Sequence, residues 1–322
     1  MLYIPYWFPR ETYKWVRYVY ANDVKELTLK YSSNLRKNLP ECLFTCSGLT
    51  QLTLIQCTLL SLPTSFKGFP CLIYLYLEAR YGLDKTCVDA NVLETLISKC
   101  PKLEILRLVI SENGCLTIHA PKLKKLFVSG YLDSLRLKGT TALNTLGLAI
   151  DLAFGRNEIF NCFANIENLV LIGSFGVEFI IQYMCTKTIP KEFGQLRTLN
   201  LECIQLNSYN MSFVLNLLTS SSLLERLSIN AKENTKVIDD HSLQIECCYI
   251  LECLRYAQLL DISGSSGKLQ LLKYILAHSP VLEEMTIELS TNLRTKEKFK
   301  FATEAMRYRR ASPNAEIIIK AE

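Results

Sequence analysis

The stretch Leu49-Thr-Gln-Leu52-Thr-Leu54-Ile-Gln-Cys57 decides the fold. Leu52 and Leu54 are two residues apart, so in an extended chain they project to one side while Gln51 and Thr53 project to the other. One side is built for a core and the other for an open surface. Cys57 occupies the slot that a fuller leucine-rich-repeat consensus fills with Asn or Cys, turned inward at the end of the strand, and is expected to be a small buried residue. A strand this short cannot bury two leucines alone. It must stack on copies of itself.

The copies are present. The same spacing recurs as Val24-Leu27-Leu29, Leu72-Leu75-Leu77, Leu103-Leu106-Leu108, Leu123-Leu126-Val128 and Leu143-Leu146-Leu148. It continues as Ile166-Leu169-Leu171, Leu196-Leu199-Leu201, Leu224-Leu227-Ile229, Ala257-Leu260-Ile262 and Leu282-Met285-Ile287. First positions lie 20 to 33 residues apart, and the chain carries 55 leucines in 322 residues. The pattern predicts an α/β leucine-rich-repeat solenoid, a curved parallel sheet with helices and short strands on its convex side.

Between the strand phrases the apolar spacing turns helical at Val92-Leu93-Leu96-Ile97, Val214-Leu215-Leu217-Leu218 and Leu271-Leu272-Ile275-Leu276. Pro101 and Pro280 follow two of these segments, where a helix has to stop. From Cys115 to Ile150 the period tightens, and a second series, Leu116-Ile118 and Leu135-Leu137, predicts a second strand per repeat in place of a helix. Cys46 and Cys100 stand three residues before a phrase, in a slot that Phe69, Phe163 and Phe193 fill elsewhere, so they are expected to be core residues.

Composition narrows the function. A formal charge of +5, from 36 Lys and Arg against 31 Asp and Glu, leaves no strong nucleic-acid footprint. The basic run Lys296-Glu-Lys-Phe-Lys with Arg307-Tyr-Arg-Arg is expected to be the solvated side of an amphipathic helix, with Phe299, Ala302, Ala305 and Met306 at helical spacing. The charge-free stretch Cys203 to Leu224 holds too many Asn, Gln, Ser and Thr residues to span a membrane, and Met1 to Pro9 lacks the marks of a signal peptide. Thirteen cysteines, an odd number without Cys-x-x-Cys, predict reduced thiols in the cytoplasm or nucleus, with no zinc site. Among three histidines, His119 and His278 sit at repeat corners and are expected to be structural, and His241 joins no motif. No phosphate-binding loop, nucleophile elbow or dinucleotide fingerprint occurs. Neither catalysis nor a cofactor is expected.

Several segments carry a resemblance. They are Trp15-Val-Arg-Tyr-Val, Val24-Lys-Glu-Leu-Thr-Leu, Leu39-Pro-Glu-Cys-Leu-Phe-Thr-Cys46, Leu96-Ile-Ser-Lys-Cys-Pro-Lys-Leu-Glu and Ile118-His-Ala-Pro-Lys-Leu-Lys. The C-terminal pair is Leu272-Lys-Tyr-Ile-Leu-Ala-His-Ser-Pro-Val-Leu-Glu-Glu-Met and Tyr308-Arg-Arg-Ala-Ser-Pro-Asn-Ala-Glu-Ile-Ile. Together they resemble the plant F-box, leucine-rich-repeat and FBD-domain proteins over essentially the full length. The resemblance implies a repeat array over residues 1–256 and an FBD region over 257–322 that continues and caps it, with Ala315 to Ile319 as the last strand. It also implies the substrate-recognition part of an SCF-type (cullin-RING) E3 ubiquitin ligase receptor, with ubiquitin transfer performed by other subunits. Such proteins begin with an F-box that docks on the Skp adaptor. Repeat-like text starts here by about Trp15, so Skp binding is not expected, and a free-standing binding or decoy protein is the alternative.

A solenoid holds partners on the outward positions of its strands. Here these include Gln51 and Thr53, Ile105, Thr145 and Gly147, Asn168 and Val170, Thr198 and Asn200, and Arg226 and Ser228. Tyr74, Tyr76, Arg107, Lys125 and Phe127 form the candidate partner-binding concave face, because aromatic and Arg side chains dominate protein interfaces. The partner is an unidentified protein.

Overall fold

The structure, a computed structural model, describes residues 14, 17–18, 24–31, 39–79, 88–111, 115–152, 163–173, 193–205, 208–232, 249–262 and 266–320. Met1 to Pro9, His241, Cys247 and Cys248 fall outside the described residues. The chain forms two compact units, residues 1–162 and 163–322.

In the first unit, strands β1 (Glu26–Lys30), β2 (Gln51–Cys57), β3 (Tyr74–Ala79), β4 (Ile105–Ser111), β6 (Lys125–Leu132) and β8 (Thr145–Leu152) pair in parallel, each with the strand of the next repeat. A separate parallel pair, β5 (Cys115–His119) and β7 (Ser134–Lys138), occupies the tightened stretch as its second apolar series predicts. Helix α1 (Ala90–Ser98) runs beside β5, and the Thr117 N–H donates to the Glu94 carboxylate. Asp89 starts the helix, its Oδ1 accepting from the N–H groups of Asn91 at 2.8 Å and Val92 at 3.2 Å, which satisfies two donors that a helix start leaves open.

In the second unit, β9 (Asn168–Ile172), β10 (Thr198–Gln205), β11 (Arg226–Lys232), β12 (Tyr256–Ile262), β13 (Glu284–Leu289) and β14 (Glu316–Lys320) again pair in parallel and in chain order. Helices α2 (Ser208–Ser220) and α3 (Ser266–His278) stand where the helical spacing predicts them. Each unit is thus a leucine-rich-repeat solenoid built of α/β repeats.

Two backbone devices repeat along each unit. The residue three before a phrase accepts from the first phrase residue, from Cys46 and Leu49 to Ser279 and Leu282, in ten turns of 3.0 to 3.4 Å among the described residues. The next residue donates back to the equivalent carbonyl one repeat earlier. Thr50 donates to Lys25, Ile73 to Thr50 and Glu104 to Ile73, at 2.8 to 2.9 Å, and Arg197 to Glu167, Glu225 to Arg197 and Arg255 to Glu225 within the same distances. These bonds set the register before a strand begins, and register decides which face every following side chain takes. The strand leucines of the phrases from Leu49 to Ile229 are accordingly buried, as are the corner residues Cys46, Phe69, Cys100, Phe163 and Phe193. Burial pushes the Cys46 thiol up to about 11 and the Cys100 thiol up to about 12, so both stay protonated and inert. His119 and His278 make backbone contacts, to the Lys138 and Tyr274 carbonyls at 3.1 and 2.9 Å.

Two expectations need correction. The phrase Ala257-Leu260-Ile262 is displaced by three residues: β12 pairs Leu227 with Ala257 and Ile229 with Leu259, so the phrase is Leu254-Ala257-Leu259. A register shift after Leu259, with Asp261 at φ 52, returns Ile262 to the core. The boundary read from the sequence at 256/257 lies at the first residues of β12. The second concerns α4 (Thr295–Ala305), whose buried residues are Phe301 and Ala305, while Phe299 points away from the core.

The shift in β12 has two counterparts. Gln56 and Cys203 also take left-handed φ values, of 56 and 59, each two residues after the last phrase leucine and just before an inward residue, Cys57 or Ile204. A left-handed side chain costs about 1–2 kcal/mol, more than the roughly 0.5–1 kcal/mol entropic cost of a glycine. Gln56→Gly is therefore expected to raise the urea midpoint or leave it unchanged, whereas Gln56→Val should lower stability by about 1–3 kcal/mol. Equal midpoints for the two variants would contradict the assigned conformation.

Candidate functional site

All five candidate residues lie on the open side of the first unit's sheet, on neighbouring strands. Parallel register places Thr53, Tyr76, Arg107, Phe127 and Gly147 in one row across β2, β3, β4, β6 and β8. Gln51, Tyr74, Ile105, Lys125 and Thr145 form the row beside it. Arg107 and Lys125 are exposed, and Tyr74, Tyr76 and Phe127 are half-buried.

The row is organised by contacts between adjacent repeats. The Phe127 ring rests on Gly147, where an added Cβ would stand 2.3 Å from its Cδ1. The Arg107 guanidinium stacks on the same ring, 4.8 Å from its centroid, in a cation–π contact. Tyr76 donates its hydroxyl to Glu78 Oε2 at 2.7 Å. Burial and that bond push the Tyr76 hydroxyl up to about 12, so it remains a donor at neutral pH. Neither Arg107 nor Lys125 has a carboxylate partner among the described residues. The result is a fixed surface offering two cations beside two tyrosines, with Phe127 serving mainly as the platform for Arg107.

Sequence reasoning missed Glu78, and it placed Gly147 on this face without its role as the seat of the Phe127 ring. It also missed a cluster in the second unit, because the displaced β12 phrase hid Tyr256 from the outward positions. Arg226 stacks on Tyr256 at 4.2 Å, and the Tyr256 hydroxyl donates to Glu283 Oε2 at 2.6 Å. Arg255 donates to Glu283 Oε1 at 2.6 Å. Hydrogen bonds from Tyr256 and then Arg255 hold the Glu283 carboxyl below its usual range, while the bond to Glu283 raises the Tyr256 hydroxyl. Here the basic and acidic groups satisfy one another, so this cluster is more self-contained than the face of the first unit. Among the described residues no group of three or more His, Cys, Asp or Glu is arranged to hold a metal ion, and no helix is long and apolar enough to cross a membrane.

Gly147→Val should lift Phe127 from its seat and lower stability by about 1–3 kcal/mol in urea denaturation. The loss should largely vanish in a Phe127→Ala background, since the clash needs both partners. A valine penalty of the same size in both backgrounds would show that the ring does not rest on this position.

Comparison with known proteins agrees with this architecture. Residues 12–158 match the family described as the LRR repeats of FBD-associated F-box protein At5g56370, and residues 246–287 match the FBD family. The F-box/FBD/LRR-repeat protein At1g13570 of Arabidopsis thaliana is 29% identical over 330 residues, which cover 95% of this chain and 75% of that protein. The F-box/FBD/LRR-repeat protein At1g78750 and the FBD-associated F-box protein At1g66310, from the same plant, are each 24% identical, over 88% and 90% of this chain and 70% and 72% of their own lengths. By its repeats and its FBD segment, the chain is similar to the plant F-box/FBD/LRR-repeat proteins over nearly its whole length.

Proposed function

We propose that the chain is a protein-interaction module that holds a partner protein on the open face of its first unit. The observation that carries this reading is the row in which Arg107 is held on Phe127, beside Lys125, Tyr74 and Tyr76, with both cations free of carboxylate partners. Stacking removes much of the rotamer freedom that Arg107 would otherwise lose on binding, and preorganised aromatic and Arg side chains are the usual anchors of protein interfaces. A partner suited to this face presents a carboxylate to the cations and an apolar surface to the tyrosine rings.

The finer reading is that the module supplies substrate recognition to an SCF-type E3 ubiquitin ligase and performs no chemistry itself. The names of its relatives, F-box/FBD/LRR-repeat proteins, support it. A cytoplasmic or nuclear site belongs to the same proposal. Its support is the odd count of thirteen cysteines without a Cys-x-x-Cys pair, which suits a reducing compartment.

The test is capture of partners from plant extract by the wild-type chain and by the Tyr74→Ala, Tyr76→Ala, Arg107→Ala triple variant. The reading predicts at least one protein retained by the wild type and lost by the variant, with the urea midpoint of the chain little changed. Identical captured sets would remove this face from consideration. A captured partner whose turnover does not respond to cullin inhibition would instead favour a free-standing binder or decoy.

A further inference from the structure

Helix α4 carries two faces that exclude each other. Phe301 and Ala305 are buried against the second unit, and Lys273 stands over the Tyr308 ring at 4.8 Å to secure the turn that follows. On the far side, Phe299 is 75% exposed and Met306, at the C-cap, 51% exposed. These two are seven residues apart, about two helical turns, and so form one apolar line along the outside. Lys296, Lys300 and Arg307 fall at spacings of four and seven and form a second line beside it.

The cations on this side are bordered by Glu297 and Glu304 but are not held in direct ion pairs among the described residues. Of the helix's two carboxylates, Glu297 accepts from the Arg294 N–H at 2.9 Å and Glu304 accepts from the Tyr308 hydroxyl at 3.0 Å. Lys296, Lys300 and Arg307 make no ion pair among the described residues. Scattered single hydrophobes on a surface are ordinary. An aromatic ring and a methionine aligned over two turns and bordered by three unpaired cations have the make-up of an interface, where aromatic, Met and Arg residues are enriched.

We propose that this outer face of α4 docks an acidic segment of a partner protein, one in which carboxylates flank an apolar side chain. The apolar residue would cover Phe299 and Met306 while the carboxylates pair with Lys296, Lys300 and Arg307. Two other anionic partners fit less well. A helix lying on a membrane buries a long apolar face in the interface; here that face is only Phe299 and Met306, because Phe301 and Ala305 turn into the core. A single-stranded nucleic acid stacks on successive aromatic rings, whereas Phe299 is followed along its line by Met306.

The experiment is selection of random dodecamer peptides displayed on phage against the full immobilised chain, followed by titration of the recovered peptides in solution. Expected are peptides enriched in Asp and Glu around an apolar residue. Their affinity should fall at least about tenfold in K296E/K300E/R307E and in the milder K296Q/K300Q/R307Q, by several-fold in F299S, and with rising salt. All these positions are exposed, so unchanged melting of each variant separates lost binding from lost folding. The proposal is overturned if the recovered peptides lack acidic enrichment, or if they bind the charge variants and F299S as tightly as the wild type. It is equally overturned if phosphatidylserine vesicles or an RNA oligomer bind through these cations while no acidic peptide does. Because the variants leave Tyr74, Tyr76 and Arg107 intact, failure here leaves the proposed role of the first unit's face standing.

Discussion

Every side-chain assignment in this chain depends on parallel register between consecutive repeats. A strand alternates its side chains with a period of two, so a slip of one residue would exchange core for surface along its whole length. The chain prevents that slip at the corner before each strand. The residue ahead of β3, Ile73, donates to the Thr50 carbonyl of the preceding repeat at 2.8 Å, and the same bond recurs from repeat to repeat. Leucines then meet leucines on one face, and whatever lies between them is presented on the other. The leucines specify the scaffold, while the residues between them are free to vary with function.

That division explains what could be read in advance. The inward positions are governed by a local rule, two apolar residues two apart, and so are the helix positions, with apolar residues three or four apart; both were legible from spacing alone. The register of β12 was not, because Leu254-Arg-Tyr-Ala257-Gln-Leu-Leu260-Asp-Ile262 accommodates two phrases three residues apart. What selects between them is the Arg255 N–H donating to Glu225, together with a left-handed Asp261 that brings Ile262 inward, and neither is a property of spacing. Gly147 illustrates a second limit. A glycine within a strand suggests weakness or a close approach, and its meaning appears only when Phe127, one repeat earlier, is seen lying on it. In α4 the helix was legible but its buried side was not, since Phe299 and Phe301 compete for the core and tertiary packing chose the latter.

The two units arrive at related surface arrangements by different balances of charge. Each stacks an Arg on the aromatic ring that faces it on the next strand, Arg107 on Phe127 and Arg226 on Tyr256. In the second unit Glu283 closes the cluster by accepting from both Tyr256 and Arg255. In the first, Arg107 and Lys125 have no carboxylate partner among the described residues, and desolvating them against a complementary group is a task left to whatever binds. An arginine already held in place gives up less conformational freedom when that happens, which favours the open face of the first unit as a recognition surface.

The most direct test of the division between scaffold and surface compares two adjacent substitutions in β3, Leu75→Ala and Tyr76→Ala, by urea denaturation. Leu75 is fully buried, and its truncation should cost about 2–5 kcal/mol. Tyr76, one residue on and facing outward, should cost no more than about 1 kcal/mol. That split is what alternation in a locked register requires; equal losses, or the reverse order, would contradict the account.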